Sequence, residues 1–316
     1  MLETSTELGD LSRAMEPAGA PPALLLHDRF AGLAVSHNRI LRRREIPGLR
    51  IEGEETPQGA RARITVEPGV HLAQPVHLCF GVLPEEGVQE IVSEFEIGEG
   101  ARVSFVAHCS FPNAVRVEHR MRARIHVGRG AWMEYSETHY HGPQGGVEVL
   151  PVAHIRVGEG GFYRSAFKLV EGSAGVVRLD YVAELEREAV CELDAKVYGK
   201  GRDSIVIRES LALNGENARG LAKTRIVASD QCVSEVIGEV TGNAPYARGH
   251  VDCVEILTGP QARASAIPKL LVNDQRAKLT HEAAIGSVDK KQIETLMARG
   301  LSEAEAVDVI VRGMLR

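Results

Sequence analysis

Between residues 50 and 286, apolar and polar side chains alternate in short runs that glycine interrupts. Typical runs are RARITVEPGV, EFEIGEGARVSFVAH and RIHVGRGAWMEYSETHYH. In a β-strand every second side chain lies on the same face of the sheet. The pattern therefore predicts a long series of strands, each with one buried face.

Glycine turns recur at a fixed interval within this region. The triplets that begin at Gly98, Gly128 and Gly158 read GEG, GRG and GEG, and they are 30 residues apart. A turn that returns at one phase indicates a repeat architecture, and glycine suits a corner that needs unusual φ values. We therefore expect a parallel β-helix whose three turns stack along one edge.

The period also predicts which side chains stack in neighbouring coils. Val103 and Phe105 fall over Met133 and Tyr135 on the inward face, followed by the charged Glu137. A charge on the inward face leads us to expect that the face changes at a corner near that residue. An antiparallel sandwich is the competing architecture, because it explains alternation but not the repeated turn sequence.

The two ends of the chain differ from the β-rich centre. Residues 1–49 are expected to form an irregular or partly helical lead, and residues 50–286 the β-helix. The basic stretch NRILRRR at 38–44 predicts a solvated edge, or alternatively a contact with phosphate or an acidic partner. Residues 287–316 carry two capping-box patterns, which predict a helical hairpin. This hairpin would close one end of the stack, dock another chain, or do both.

Composition narrows the classes of function. The chain has 316 residues, of which 44% are hydrophobic and 25% charged, the balance of a globular protein. The net charge of −6 and an aromatic content of 4% argue against nucleic-acid binding. No apolar run approaches the roughly 20 residues that cross a bilayer, and the acidic N-terminus lacks a signal segment. Five cysteines without a C-x-x-C pair predict free thiols in a reducing cytoplasm.

Cys253 and His281 are 28 residues apart, which is close to one repeat. His281 would then lie about one coil above Cys253, at a strand spacing of roughly 4.8 Å. Thiolate, imidazole and carboxylate groups bind iron or zinc, and a nearby imidazolium would lower the pKa of the thiol. Together with Glu282 they predict a metal or cluster site. The alternative is that Cys253 is an inert, buried structural cysteine.

The 30-residue period also relates Cys109 to His139, and His139 forms an H-x-H pair with His141. These three residues predict a weaker, secondary site: a thiol and histidine path, or a metal-handling patch along the stack. The alternative is ordinary packing plus a surface histidine. Cys79 would extend the ladder beneath Cys109 only if the first coil had the same length.

Three C-terminal segments carry motifs: ARGHVDCVEIL, KLTHEAAIGSV and QIETLMARGLSEAEAVDVIVRGML. They resemble the SufB/SufD family of the SUF iron–sulfur cluster assembly system. The first resembles A-R-N-…-Q-C-D-S-M-L and places Cys253 on the acceptor cysteine of SufB. The second resembles L-E-H-E-A-T-T-S-R-I and places His281 and Glu282 on the family's H-E pair. The third resembles the family's C-terminal helices. Two departures stand out, because V-E follows the cysteine in place of D-S and Thr280 replaces an acidic residue.

The resemblance implies a right-handed parallel β-helix and a scaffold rather than an enzyme. It implies that the C-terminal helices, with Ile310 and Val311, dock on a SufC-like ABC-type ATPase, which would supply the P-loop that this sequence lacks. It also implies dimerisation through the β-helix, with the acceptor cysteine at the interface. A compact, SufB-like homodimer would there assemble a transient iron–sulfur cluster.

Two other functions fit a β-helix. The chain could be a structural partner that holds an ATPase without binding a cluster. It could also be a carbohydrate-active enzyme, although the low aromatic content argues against an extended sugar-binding groove.

Overall fold

Two sheets wind around one hydrophobic core in the computed structural model, which describes residues 2–21, 24–25 and 30–316. The strands of that part of the chain are β1 (Gly32–Ser36), β2 (Arg39–Arg44), β3 (Leu49–Thr56), β4 (Gly59–Val66), β5 (Val76–Gly81), β6 (Glu86–Ile97), β7 (Arg102–Phe111), β8 (Arg116–Val127), β9 (Trp132–His141), β10 (Val147–Val157), β11 (Phe162–Glu171), β12 (Val176–Leu185), β13 (Val190–Gly199), β14 (Ser204–Leu213), β15 (Arg219–Ala228), β16 (Val233–Gly242), β17 (Arg248–Leu257), β18 (Arg263–Val272) and β19 (Lys278–Gly286). The helices are α1 (Leu2–Ala14), α2 (Lys290–Met297) and α3 (Glu303–Met314). None of these helices is long and apolar enough to cross a membrane.

Successive strands alternate between the two sheets. Sheet A has the order β19-β17-β15-β13-β11-β9-β7-β5-β1-β2, and sheet B has the order β18-β16-β14-β12-β10-β8-β6-β4-β3. From β4 onward every pairing within a sheet is parallel, so each coil adds one strand to each sheet. Among the strands named above, only the pairs β1–β2 and β3–β4 are antiparallel. The predicted parallel β-helix is therefore confirmed, and the antiparallel sandwich is wrong.

The predicted stacking of side chains is confirmed residue by residue. Val103 pairs with Met133, and Met133 pairs with Tyr163, in neighbouring parallel strands. All three side chains are buried in the core between the sheets. The expected change of face near Glu137 is wrong, because the alternation continues through β9 as far as His141. Glu137 itself points inward and is buried.

The 30-residue glycine turns stack as the period predicted. The amide of Gly128 donates to the carbonyl of Ile97, and the amide of Gly158 donates to that of Val127, each at 2.8 Å. A β-carbon added at Gly128 would lie 3.1 Å from the carbonyl carbon of Gly98. The turns are thus in direct contact from coil to coil along one edge of the solenoid.

The third residue of each of these turns has a left-handed backbone, with φ between 60° and 66° in the three glycine triplets. Later coils keep this corner without glycine. Side-chain-bearing residues occupy it at φ values of 58° to 60°, namely Glu188, Asn217 and Tyr246. An L-residue is strained in this conformation. The stacking of the coils therefore imposes the same corner in later turns, where the sequence has no glycine to mark it.

The solenoid begins earlier than the predicted boundary at residue 50. Strands β1 and β2 lie within residues 1–49, and NRILRRR supplies β2 at the edge of sheet A. Positive charge on an edge strand discourages pairing with another chain. Leu11 of helix α1 and Met15, which directly follows the helix, pack on the outer face of sheet A against Ala34 and Cys79.

The C-terminal hairpin lies on the flank of the solenoid and leaves its last coil uncapped within the described ranges. Ser302 and Glu305 form the predicted capping box of α3. The apolar face of α3 packs on the outer side of sheet A, where Val311 contacts the cluster that includes Val227. In the described part of the chain, β18 and β19 each end their sheet with an unpaired edge. The expectation that the hairpin closes the end of the stack is therefore wrong, because its apolar face is used on the sheet surface.

Candidate functional site

Cys253 lies on the inner face of β17, one strand away from the open end of sheet A. Its register partners are Thr224 in β15 and Ala283 in β19. The alternation of β17 turns the thiol into the solenoid, where the residue is only 2% exposed. A ligand arriving from the open end would therefore meet β19 first and Cys253 directly beneath it.

Polar side chains surround this thiol inside the solenoid. Cys253 Sγ lies 3.9 Å from Glu255 Oε1, two residues along the same strand face. The hydroxyl of Ser234 donates to the other oxygen of Glu255, and Thr224 Oγ1 donates to Glu209 Oε2 at 3.2 Å. We call these five residues the Cys253 group. It brings a thiol and two carboxyl groups into one buried region between the two sheets.

Burial shifts the proton equilibria of the Cys253 group toward the neutral forms. It raises the pKa of Cys253 to about 12, with a further contribution from the charge of Glu255, while Arg225 opposes the shift. Burial also raises the pKa of Glu255, and it raises the pKa of Glu209 to about 8. The expectation that an imidazolium lowers the thiol pKa is therefore wrong, since desolvation is the largest influence.

His281 and Glu282 are not arranged around Cys253 as the spacing predicted. His281 pairs with Val251, because the last coil is 30 residues long and not 28. It shares the inner face with Cys253, and the two α-carbons are diagonal neighbours roughly 8 Å apart. Glu282 pairs with Asp252 on the opposite face. Both side chains are exposed, because no further coil of the described chain covers β19.

The secondary candidates form a tighter cluster. Cys109 pairs with His139 in register, as the period predicted, and Cys109 Sγ lies 3.9 Å from Glu137 Oε1. His139 Nε2 contacts the same carboxylate oxygen, and His141 Nε2 lies 3.4 Å from His139 Nδ1. We call these four residues the Cys109 group. All of them are buried, so the interpretation of surface histidines is wrong here.

Cys79 does not extend this ladder. It pairs with His108 and not with Cys109, so its side chain faces outward beneath α1. The register column that joins His139 to Glu255 passes through Leu169, Val197 and Ile226. Apolar side chains therefore fill this register column between the two polar groups.

Sequence reasoning missed the carboxyl groups that face both thiols. In the sequence Glu255 stands out only as a departure from a motif, and Glu137 only as an irregularity of the inward face. In both strands the acid lies on the same face as its polar neighbour two residues away, Cys253 or His139. An acid at an inward position of a predicted strand is the signal that could have identified them.

Comparison with known proteins shows the family to which this chain belongs. A family profile described as "SUF system FeS cluster assembly, SufBD core domain" matches residues 87–314. The chain belongs to the SufBD family. The matched region of this SufBD chain contains both the Cys109 group and the Cys253 group, together with α2 and most of the strands.

Two archaeal relatives of this SufBD chain match more than nine-tenths of its length. An iron–sulfur cluster assembly SufBD family protein of Methanocaldococcus jannaschii is 37% identical over 309 residues, which is 98% of each chain. A second one, from Pyrococcus horikoshii, is 36% identical over 291 residues, covering 92% of this chain and 88% of the relative. The iron–sulfur cluster assembly protein SufB of Bacillus subtilis is 27% identical over 132 residues, covering 37% of this chain and 28% of that protein.

Proposed function

We propose that this SufBD protein is the scaffold of a SUF-type assembly complex and builds a nascent iron–sulfur cluster at Cys253. Membership of the SufBD family implies a role in iron–sulfur cluster assembly. The observation that carries the finer proposal is the position of the Cys253 group, one strand beneath an uncapped end. The iron–sulfur cluster is cargo, which the protein assembles and then releases.

The residues of the site have complementary roles in this proposal. Iron and sulfide need a thiolate, so Cys253 must lose a proton that burial otherwise retains. Glu255 lies next to that Sγ–H group, and its raised pKa suits it to accept the proton. His281, on the same inner face, supplies a borderline nitrogen ligand. Glu282 points to the other face, so its role would be toward a partner subunit or the surroundings of the site.

The open end supports a homodimer. Both β18 and β19 present edges that are unpaired within the described residues, and long apolar edges are liable to pair with another chain. Leu271 and Val272 of β18 and Ile285 of β19 are all at least 43% exposed. An isologous contact between two such ends would bury these side chains and bring two copies of Cys253 close to one interface.

The hairpin supports an ATPase partner, but through other residues than expected. Val311 is buried against sheet A and is not available to a partner, whereas Ile310 is half-buried and Val309 is 47% exposed. The outer side of α3 thus presents the exposed Val309 beside the half-buried Ile310, and a SufC-like ATPase would cover both. A charge at Val309 should weaken that contact, while a charge at Val311 should unfold the hairpin because it would be buried unpaired.

The decisive experiment is anaerobic reconstitution with iron and sulfide, read by absorption spectra and by iron and sulfide assays. Cys253→Ser exchanges a soft ligand for a weak, hard one and should reduce cluster yield at least about tenfold. Cys191→Ser is the matched control, because Cys191 is also buried on sheet A but lies outside both polar groups. Full cluster assembly in Cys253→Ser would refute the proposed site.

A structural role without a cluster is the second candidate function. It is favoured by the burial of Cys253 and its raised thiol pKa, both of which are typical of an unreactive cysteine. The same reconstitution separates the two, since a purely structural partner would bind ATPase but give no cluster in the wild-type protein. Ile285→Lys, with Val115→Lys as an equally exposed control, tests the dimer by sedimentation.

A further inference from the structure

The Cys109 group places three different metal-binding atoms around one point in the interior. The ligand atoms of Cys109, Glu137 and His139 all lie within 4.8 Å of one another. Bonds of 2.0–2.3 Å to a tetrahedral zinc ion would bring such atoms to about 3.3–3.8 Å apart. Small side-chain adjustments would therefore suffice for one ion to contact all three.

A hydrogen-bond relay fixes which nitrogen of His139 faces the carboxylate. His141 Nδ1 lies 3.1 Å from the carbonyl oxygen of Ser173, which can only accept, so this nitrogen carries the hydrogen. With that hydrogen on Nδ1, the neutral His141 ring presents its Nε2 as an acceptor. The hydrogen between the two rings therefore belongs to His139 Nδ1.

It follows that His139 Nε2, when this ring is neutral, presents a lone pair to Glu137. A carboxylate oxygen also presents lone pairs, and two acceptors in contact repel each other. Something positive must therefore lie between them, which is either a proton or a metal ion. Imidazoles that ligate metals have this arrangement, with the second nitrogen bonded to a neighbouring acceptor.

His119 provides a second and independent observation. It projects inward from β8 and is fully buried, and neither of its ring nitrogens has a hydrogen-bond partner within the described ranges. Its ring centroid lies 5.9 Å from that of His139. An unpaired buried ring nitrogen is costly, and such groups in native structures often indicate an unseen ion or water.

We propose that the Cys109 group, completed by His119, is a resident site for one divalent transition-metal ion. Thiolate, carboxylate and imidazole donors together suit zinc and ferrous iron. Cys109 Sγ, Glu137, His139 Nε2 and one nitrogen of His119 are the four ligands, and the thiol proton is released to solvent as the ion binds. Glu137 and His139 of this site lie roughly 19 Å from Cys253, at four strand spacings along sheet A.

A resident ion here would join β7, β8 and β9 across both sheets. It is distinct from the proposed cluster cargo, because Phe167, Ala195 and Thr224 fill the register column between Glu137 and Cys253. The ion would enter as the coils form and would stay in place during cluster assembly.

The test uses the full-length protein expressed with added zinc, with added cobalt, or anaerobically with ferrous iron. Elemental analysis should find about one ion per chain, and the cobalt form should show thiolate-to-cobalt charge-transfer bands with tetrahedral d–d bands. Cys109→Ser and Glu137→Gln should each reduce retained metal at least about tenfold and abolish or shift these bands. Cys191→Ser and Cys253→Ser should retain both the metal and the bands.

Wild-type protein that holds no metal and shows no such bands in any of the three preparations would overturn the proposal and leave a shared proton between His139 and Glu137. Metal that persists in Cys109→Ser and Glu137→Gln would also overturn it. If Cys109→Ser does not fold by circular dichroism, the isosteric Glu137→Gln variant and the His119→Gln variant decide between these outcomes. Failure of the Cys253 assignment is seen separately, because that assignment depends on reconstituted cluster and not on resident metal.

Discussion

The two polar groups inside the solenoid each contain a buried thiol next to a carboxyl group, but they lie at different positions along the stack. Glu137 and Cys253 occupy one register column of sheet A, and His139 and Glu255 occupy the adjacent inward column. In the Cys109 group every side chain is enclosed by coils on both sides. In the Cys253 group only β19 lies between the thiol and the open end of the described chain.

The two groups therefore differ in how easily their thiols are exposed to solvent, and not in how readily those thiols ionise. Both thiols have pKa values raised by burial and by a neighbouring carboxylate, so neither is reactive by virtue of its ionisation. What differs is the free energy needed to expose each of them, because a terminal coil can open locally while a central coil cannot. A buried thiol near an end suits cargo that must enter and leave, whereas a central one suits an ion that stays.

The largest effect should be in thiol alkylation of the native protein. Cys253 is expected to react roughly 100-fold faster than Cys109, since fraying of β19 costs less than opening the central coils. Peptide mapping by mass spectrometry after timed alkylation measures both rates in one sample. Denatured protein, in which the two thiols should react alike, is the control. Equal rates in the native protein would remove the distinction between the groups.

Removing the carboxylate should cost more in the enclosed group. Glu137→Ala leaves the Cys109 thiol and His139 without their partner in a closed cavity, and should lower the free energy of unfolding by about 3–4 kcal/mol. Glu255→Ala should lower it by about 1–2 kcal/mol, because the end of the stack can relax. Urea denaturation of both variants compares the losses, and a larger loss for Glu255→Ala would contradict the comparison.

The Cys253 group should also make stability depend on pH. The pKa of Glu209 is raised from 4.5 to about 8 in the folded protein. The stability that this shift contributes is fully present below about pH 4.5 and is lost as the pH rises through 8. Glu209→Gln should remove this dependence and gain about 4 kcal/mol on the wild type between about pH 5 and pH 9. Urea denaturation of the wild type and of Glu209→Gln at the two pH values tests this prediction. Stability profiles that run parallel for the two proteins would contradict it.

The smallest effect should be at the corners. Glu188 occupies at φ 58° the corner that Gly130 occupies at φ 60°. Glu188→Gly should therefore stabilise the protein by up to about 1 kcal/mol, and Gly130→Glu should destabilise it by about as much. Thermal melts of the pair measure both changes. Destabilisation by Glu188→Gly would mean that the glutamate side chain contributes more than its backbone strain costs.

Much of the fold was predictable because it is local and repeated. The alternation in β7, β9 and β11 and the turns at Gly98, Gly128 and Gly158 specify strands, faces and coil length together. The boundary at residue 50 was wrong because β1 and β2 pair antiparallel at an edge and carry no repeat. The place of the hairpin was wrong because an apolar helix face indicates burial but not the surface that buries it.

The site was predictable in its residue types and less so in its geometry. The sequence alone determined that Cys109 meets His139, because those coils keep a constant length, and its motifs singled out Cys253. Only the tertiary structure decided that Cys253 faces Ala283 and Glu255 and not His281. The physical reason is that a change of two residues in coil length shifts a strand by two positions while leaving the face unchanged. Only the fold likewise decided how accessible each thiol is, because no local sequence pattern indicates which coil forms the open end of the stack.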